Sequence, residues 1–241
     1  MRGLIAEIGN HHFGSLQRAK QLIYSARECG AHYVKMQAID TMEFKGGSMP
    51  PDFYRQCDLG MAGYMECIEY AKDIGIPLFF SVFGSKYLDL IEHYPEMPYK
   101  ISGYQFHHFD IAALEYWNNE RSRPVVASIP HTNEQELINK CDATSNMHLM
   151  IVNDYLDVYA DFKYMRYCSE VFKKPIGFSD HTMGLQNCFR AVIQHGAQLV
   201  EKHFNIFGDQ YFGGKIYRDS IHAANPMELE RLAKLLQGSA T

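Results

Sequence analysis

The sequence has no long apolar run, no leader-like segment and no overall excess of basic residues. No apolar stretch approaches the roughly 20 residues that a membrane-spanning helix needs. We expect no secretory leader either, because a strand-like segment, GLIAEIG, begins at residue 3. The formal net charge is −5, which does not favour a nucleic acid or an anionic membrane surface as partner. Any bound anion must therefore meet local positive charge.

Cysteine pairs at metal-clamp or disulfide spacing are also missing. The six cysteines are irregularly spaced, and the closest two, Cys57 and Cys67, lie ten positions apart. This pattern favours a reduced, cytoplasmic compartment. The sequence contains neither a Gly-rich phosphate loop of the Walker type nor GxGxxG, so it gives no sign of a nucleotide site.

Short apolar runs alternate with segments of helical periodicity throughout the 241 residues. The apolar runs predict buried parallel strands at GLIAEIG (3–9), AHYVKMQ (31–37), PLFFSVF (77–83), YKISG (99–103), PVVASI (124–129), HLMIVND (148–154), PIGFSD (175–180) and QLVEKHF (198–204). Eight strands with intervening helices predict an α/β fold, a (β/α)8 TIM barrel, as a single catalytic domain over residues 1–241. A doubly wound open sheet is the alternative, but it would leave two strand edges to protect.

Helix signals support this alternation. Residues 15–30, 63–75 and 184–196 each place apolar side chains on one face, and Asn225 with Pro226 forms a helix start before the last periodic segment. Residues 38–60 break the rhythm with several glycines and prolines, so we interpret them as a long loop over the barrel mouth.

Polar side chains stand at the carboxyl end of every predicted strand. They are Glu7, Lys35, Gln37, Ser81, Lys100, Ser102, Ser128, Asn153, Tyr155, Ser179, Asp180, His181, Glu201 and His203. In a parallel barrel these ends meet at one mouth, where such enzymes have their active sites. We therefore expect a single functional site there rather than scattered loop residues.

Two of these side chains predict a metal site. His181 and His203 are 22 residues apart, one strand–helix unit, so they should end adjacent strands roughly 4.8 Å apart. Two imidazoles can hold one divalent ion and leave positions for water and substrate, which suits Mn²⁺, Mg²⁺ or a similar ion. The alternative is two histidines in ordinary hydrogen bonds.

Lys35 and Lys100 are the second signal, because a lysine inside an apolar strand is costly unless its charge is matched. One interpretation is an ion pair with Glu7 or Glu201. The other is a clamp for a phosphate or carboxylate, assisted by Ser128 and other strand-end groups.

The strand-end motifs resemble the catalytic barrel of the sialic acid synthase family, which makes N-acetylneuraminate, legionaminic and pseudaminic acids. The similar segments are IAEIGNHHFGSL (5–16), VKMQ (34–37), YKIS (99–102), RPVVAS (123–128), VNDY (152–155), GFSDHTMG (177–184) and EKHF (201–204), with Asp219 seven residues before Pro226. The likeness runs through nearly the whole chain in order, and SDHT followed by EKHF at this spacing is specific.

This resemblance implies a condensation of phosphoenolpyruvate with the aldehyde of an N-acylated hexosamine such as N-acetylmannosamine, in surface-glycan biosynthesis. It implies a metal, usually Mn²⁺, on His181 and His203, and a general acid/base at Glu7. The phosphoenolpyruvate-binding residues would be Lys35, Ser81, Lys100, Ser102, Ser128, Asn153 and Ser179. The sugar-binding residues would be Gln37, Tyr155, Glu201, Arg218 and Asp219.

The chain departs from the family pattern at several points. Val82 replaces a threonine that contacts phosphate, Gly103 replaces a serine, and Gln105 replaces an acidic residue. The family adds an antifreeze-like C-terminal domain that gives an arginine to the sugar site of its dimer partner, and this sequence ends after the last barrel helix. The resemblance therefore implies a sugar site that is open on one side or completed by a homo-oligomer or a partner chain, with Arg218 as a stand-in.

Two other functions stay open from the sequence. One is a related metal-dependent barrel enzyme with a different aldehyde substrate, which Val82, Gly103 and Gln105 favour. The other is a barrel that binds sugar acids without catalysis.

Overall fold

Eight parallel strands pair in chain order and close into a barrel in the computed structural model, which describes residues 2–44, 46–92, 98–101, 124–129, 147–152 and 160–238. The strands are β1 (Gly3–Gly9), β2 (Tyr33–Ile39), β3 (Leu78–Phe83), β4 (Tyr99–Ile101), β5 (Val125–Ile129), β6 (Met147–Val152), β7 (Ile176–Asp180) and β8 (Leu199–His203). Closure comes from β8 pairing with β1, in a register that runs from Gly3 opposite Leu199 to Glu7 opposite His203.

The strands form where the sequence is continuously apolar because both of their faces are covered. All seven residues of β1 and all five of β5, β7 and β8 are buried. A short hairpin, β9 (Tyr211–Phe212) and β10 (Lys215–Ile216), lies outside the barrel sheet.

The described helices are α1 (Leu16–Glu28), α2 (Pro51–Cys57), α3 (Gly60–Asp73), α4 (Leu88–Glu92), α5 (Phe162–Phe172), α6 (Gln186–His195), α7 (Arg218–His222) and α8 (Pro226–Gly238). Their ends follow local chemistry. The Ser15 hydroxyl accepts a hydrogen bond from the Arg18 amide at the start of α1. Asn225 and Glu228 cap each other's backbone amides before α8, as predicted from Asn225. Gly196 ends α6 in the left-handed conformation.

The α/β class and the parallel sheet are confirmed. A helix lies between consecutive barrel strands wherever the structure describes the connection. Residues 102–123 and 130–146, which follow β4 and β5, lie outside the described part. The full (β/α)8 alternation is therefore still a prediction. The loop predicted over residues 38–60 is partly wrong, because it contains α2, which starts with Pro51 at its first position.

Two apolar layers hold the barrel. A large cluster lies between the strands and the surrounding helices. A second cluster, with Ile5, Phe79, Val126 and Leu199, lies inside the barrel. Each of these four residues is two positions before a polar strand-end residue, so both side chains point to the same face. The apolar cluster is thus a floor beneath the polar mouth.

The five described cysteines, Cys29, Cys57, Cys67, Cys168 and Cys188, are buried and unpaired. None of the described helices combines the length and the apolar character needed to cross a membrane.

Candidate active site

Glu7, Lys35 and His203 lie side by side on β1, β2 and β8. The Cα atom of Glu7 pairs in register with that of Lys35 on one side and that of His203 on the other. Lys35 Nζ forms an ion pair with the Glu7 carboxylate and lies 3.4 Å from Glu201 Oε1. It also donates a hydrogen bond of 2.9 Å to Ser81 Oγ. The ammonium group is thus fixed between two carboxylates and a hydroxyl.

Lys100 occupies the opposite part of the same layer. Its Nζ donates to Glu201 Oε2 at 3.0 Å and to Ser128 Oγ at 2.8 Å. Ser179 Oγ donates to the other oxygen of Glu201 at 3.3 Å. Glu201 was predicted to bind the sugar, but it lies between the two lysines. It is an inward-facing residue of β8, two positions before His203.

Of the two interpretations of the buried lysines, the ion pair is the arrangement that the structure contains. Both ammonium groups contact Glu201, and Lys35 also contacts Glu7. Phosphate binding at these lysines requires an anion to compete with Glu201. The hydroxyls of Ser81, Ser128 and Ser179 lie in the same layer, as expected for a shared anion site.

The two buried carboxyl groups are in opposite electrostatic environments. Burial raises the pKa of Glu7 to about 7, against the attraction of Lys35. Burial would also raise the pKa of Glu201, but Lys100 and Lys35 outweigh it and hold that pKa well below the usual range. Glu201 is therefore a fixed negative charge, and Glu7 can exchange a proton near neutral pH, which is how paired carboxyl groups take different roles in catalysis.

His181 and His203 come together at the mouth, as their spacing predicts. Their ring centroids are 5.4 Å apart and the planes make an angle of 55°. Burial lowers the pKa of both rings, that of His203 to about 3, so both are neutral at physiological pH. Nδ1 of His203 is buried without a hydrogen-bond partner. Neutral imidazole is the form that binds metals.

These observations fit a divalent cation held by two protein nitrogens. Asp219, a buried carboxylate, interacts with both imidazoles, and its pKa is lowered mainly by His203 and by a hydrogen bond from Tyr217, although burial opposes this. Within the described residues, no group of three or more His, Cys, Asp or Glu side chains is arranged around one point for a metal. A cation held by these two nitrogens would keep positions for water and substrate.

A cavity of about 520 Å³ opens above this layer. Its lining includes three residues predicted to face a sugar, Gln37, Arg218 and Asp219, together with Tyr217 and Lys215. Tyr217 donates a hydrogen bond of 2.7 Å to Asp219 Oδ2, and Gln37 Oε1 accepts one of 2.8 Å from Asn10. Buried Asp219 and half-buried Gln37 are thus held in place beside an open space.

A third imidazole, His11, lies next to His203 at a ring-centroid distance of 5.9 Å. Gln210 Nε2 donates to the backbone carbonyl of His11, so its Oε1 faces His11 Nδ1 at 2.8 Å. This places the proton on Nδ1 and leaves Nε2 as a bare acceptor, which is buried and has no hydrogen-bond partner. The sequence gives only the position of His11 after β1, because Gln210 is 199 residues away along the chain.

Three predicted site residues, Ser102, Asn153 and Tyr155, lie outside the described residues, as do Gly103 and Gln105. Two described residues that were not predicted from the strand ends have contacts at the mouth, Tyr217 and Gln210, and a third, Lys202, pairs with Asp180 on the outer face of the barrel. Lys202 and Tyr217 are next to predicted site residues in the sequence, and this adjacency is the signal that could have identified them.

Comparison with known proteins gives consistent matches. A family model described as the NeuB family matches residues 22–239. An N,N'-diacetyllegionaminic acid synthase of Legionella pneumophila is 26% identical, over 99% of this chain and 72% of that protein. A pseudaminic acid synthase of Helicobacter pylori is 25% identical, over 83% of this chain and 65% of that protein. The crystal structure of an N-acetylneuraminic acid synthetase from Leptospira borgpetersenii superimposes with a TM-score of 0.84 at 22% identity, over 99% of this chain and 83% of that one, which shows the shared fold.

Proposed function

Because the chain belongs to the NeuB family, we propose that it condenses phosphoenolpyruvate with an N-acylated hexosamine aldehyde, such as N-acetylmannosamine, to give a nine-carbon 2-keto sugar acid and phosphate. The named relatives, synthases of legionaminic and pseudaminic acids, support this reaction class. The proposal includes the complete (β/α)8 barrel and the cytoplasmic location.

One observation carries the proposal: an exchangeable carboxyl, an ammonium group and an imidazole are register neighbours on three adjacent strands. Glu7 pairs with Lys35 and with His203, and the second lysine, Lys100, is in the same buried layer. Acid/base chemistry, anion binding and cation binding are thus available within one site. The cavity beside Gln37 and Asp219 has room for the sugar.

In the proposed reaction, C3 of phosphoenolpyruvate forms a bond to the aldehyde carbon, and the aldehyde oxygen takes up a proton. A water oxygen adds to C2, and its two protons pass to the aldehyde oxygen and to the departing phosphate. The C2–O bond to phosphate breaks, which releases phosphate and leaves a ketone at C2. Glu7, with a pKa of about 7, accepts the proton from water. Lys35 and Lys100 bind the substrate's anionic groups after these displace Glu201.

A divalent cation, with Mn²⁺ the first choice, would be held by His181 and His203 and would polarise the aldehyde. The protein's own part is to keep both imidazoles neutral, which it does by burying them. Asp219 and Gln37 orient the sugar from the cavity wall, and Ser81, Ser128 and Ser179 complete the anion site.

Phosphate release is the test. We expect release only when phosphoenolpyruvate, an acylamino sugar and Mn²⁺ are all present, with a panel of aldehydes identifying the sugar. Lys35→Met and Lys100→Met should each raise the KM for phosphoenolpyruvate at least tenfold, since each removes a charged partner worth roughly 1.5–3 kcal/mol. Lys86→Met is the matched control, because Lys86 is half-exposed and pairs with Asp58 instead of with the buried carboxylates Glu7 and Glu201. Equal phosphate release without any sugar would contradict the proposal.

A second candidate is a barrel that binds sugar acids without catalysis. The observation in its favour is that carboxylates neutralise both lysines. This candidate requires calorimetric binding of a sugar acid to the wild-type protein together with no turnover of any aldehyde in the panel.

A further inference from the structure

Behind the two imidazoles, on the outer face of the barrel, lies a buried ion pair. Asp180 and Lys202 are Cα partners on β7 and β8, and each comes immediately before a histidine of the pair. Side chains alternate along a strand, so Asp180 and Lys202 point away from the mouth while His181 and His203 point into it. Neither charged side chain has any exposed surface.

Lys202 connects the two strand ends. Its Nζ lies 3.1 Å from Asp180 Oδ2 and also donates to the backbone carbonyl of Thr182, the residue that follows His181. One lysine on β8 thereby contacts the residues on both sides of His181.

Asp180 uses both of its oxygens. Oδ1 accepts from the Thr182 amide at 3.0 Å and from the Thr182 hydroxyl at 2.8 Å, while Cys188 Sγ lies 3.2 Å from Oδ2. Asn187 then donates to the Thr182 hydroxyl at 3.1 Å. Both Asn187 and Cys188 belong to the start of α6, so the turn that carries His181 is fixed to β8 and to α6 together.

Stability alone is a weak reason for such a pair. The desolvation of two buried charges offsets most of their attraction, and apolar or neutral replacements of both partners often leave stability unchanged or higher. What the pair supplies is a defined geometry for the backbone on both sides of His181 and at the residue before His203.

We propose that Asp180 and Lys202 are positioning residues, whose ion pair sets the separation and orientation of His181 and His203 for a divalent cation. This inference rests on the proposed function, in which those imidazoles hold the cation. Groups behind metal ligands orient the ligands, and their loss typically weakens metal affinity by about 10- to 100-fold.

The test is Mn²⁺ binding, measured by calorimetry and by electron paramagnetic resonance on the full chain without substrates. The double variant Asp180→Asn with Lys202→Met removes both charges and leaves no unpaired one. We expect its Mn²⁺ affinity to fall about 10- to 100-fold, and the imidazole nitrogen couplings of bound Mn²⁺ to change. The control, Asp58→Asn with Lys86→Met, removes a partly exposed ion pair that involves neither β7 nor β8 and should bind Mn²⁺ as the wild type does.

Thr182→Val provides a second measurement that keeps both charges and removes the hydroxyl contacts to Asp180 and Asn187. It should weaken Mn²⁺ binding in the same direction by a smaller factor, with circular dichroism confirming the fold. Unchanged affinity and unchanged nitrogen couplings in the folded double variant would overturn the positioning role and leave the proposed function standing. If the wild type binds no Mn²⁺, or if His181→Ala with His203→Ala binds it equally well, the inference and the cation site of the proposed function both fail.

Discussion

Glu7 combines full burial with a proton that can leave near neutral pH. Its neighbours explain this state: burial disfavours the charged form, Lys35 favours it, and the fixed negative charge of Glu201 opposes a second charge in the same layer. The resulting pKa of about 7 is close to the value at which a carboxyl is most useful as an acid/base. The acid/base role proposed for Glu7 can therefore be tested separately from the anion-binding role proposed for the lysine ammonium groups around it.

Glu7→Gln should lower kcat by about 10²- to 10⁴-fold, the usual contribution of a general acid/base. Because only the deprotonated carboxyl accepts a proton, wild-type kcat/KM should rise with pH up to about 7, and this limb should be absent from the variant. Steady-state phosphate release between pH 5.5 and pH 8.5 measures both effects. A variant that keeps the wild-type limb would show that another group titrates there.

His12 gives a residue-scale prediction about stability. It is fully buried, and burial lowers its pKa to about 3, whereas an unfolded histidine titrates near 6.5. Between these two pKa values the unfolded chain binds a proton at His12 and the folded chain does not. The contribution of His12 to the unfolding free energy is therefore complete above pH 6.5 and is lost as the pH falls. From pH 7.5 to pH 5 it amounts to about 2 kcal/mol.

His12→Gln should therefore reduce the difference in unfolding free energy between pH 7.5 and pH 5 by about 2 kcal/mol. Urea unfolding at the two pH values measures it, and the glutamine oxygen can still accept from the Gly14 amide, as His12 Nδ1 does. His195→Gln is the matched control, since His195 is only half-buried and should change the pH dependence less. Equal slopes for His12→Gln and the wild type would contradict the prediction.

The packing of β7 against its neighbouring strands depends on Gly177, which has no side chain. Gly177 pairs with Met150 on β6 and Leu199 on β8. A Cβ atom at position 177 would be 2.1 Å from Met150 Sδ and 2.7 Å from the Leu199 carbonyl oxygen. The glycine therefore leaves the space into which Met150 extends within the interior cluster.

Gly177→Ala should lower the unfolding free energy by about 1–3 kcal/mol, the usual cost of overpacking a core. Gly238→Ala is the control, because a Cβ atom there meets no atom within 4 Å. Denaturant unfolding of both variants compares them directly, and a smaller loss of stability from Gly177→Ala in a Met150→Ala background than in the wild type would identify the clash with Met150 as a cause. An unaffected Gly177→Ala protein would mean that β7 shifts freely.

The same elements show what could be predicted from the sequence. The strands were predictable because barrel strands are covered on both faces and so appear as continuous apolar runs. The helix α2 was missed because it has seven residues and lies among glycines and prolines, where local signals favour a loop. The approach of His181 to His203 followed from their spacing. The pairing of Lys100 with Glu201 was only one of two interpretations of the buried lysine, because the two residues are 101 positions apart and no local pattern joins them.

At the scale of the whole molecule, closure joins the two ends of the described chain. Residues 3–7 of β1 pair with residues 199–203 of β8, and the Gly3 amide bonds to the Gln198 carbonyl. The single catalytic domain predicted from length and rhythm stays a prediction, and closure gives it a testable consequence, because loss of either end strand would open the barrel beside the candidate site.

We expect one cooperative unfolding transition, although 241 residues exceed the roughly 150 below which this is usual. Far-ultraviolet and near-ultraviolet circular dichroism should give coincident midpoints, and the calorimetric and van't Hoff enthalpies should agree. Gly3→Ala tests the link, because Gly3 has φ of +133° and a Cβ atom would be 2.5 Å from the His32 ring. Strain at the seam between β1 and β8 should lower both midpoints together, since the seam belongs to the whole barrel. Two separated transitions, with only one of them moved by Gly3→Ala, would show that the chain folds as more than one unit.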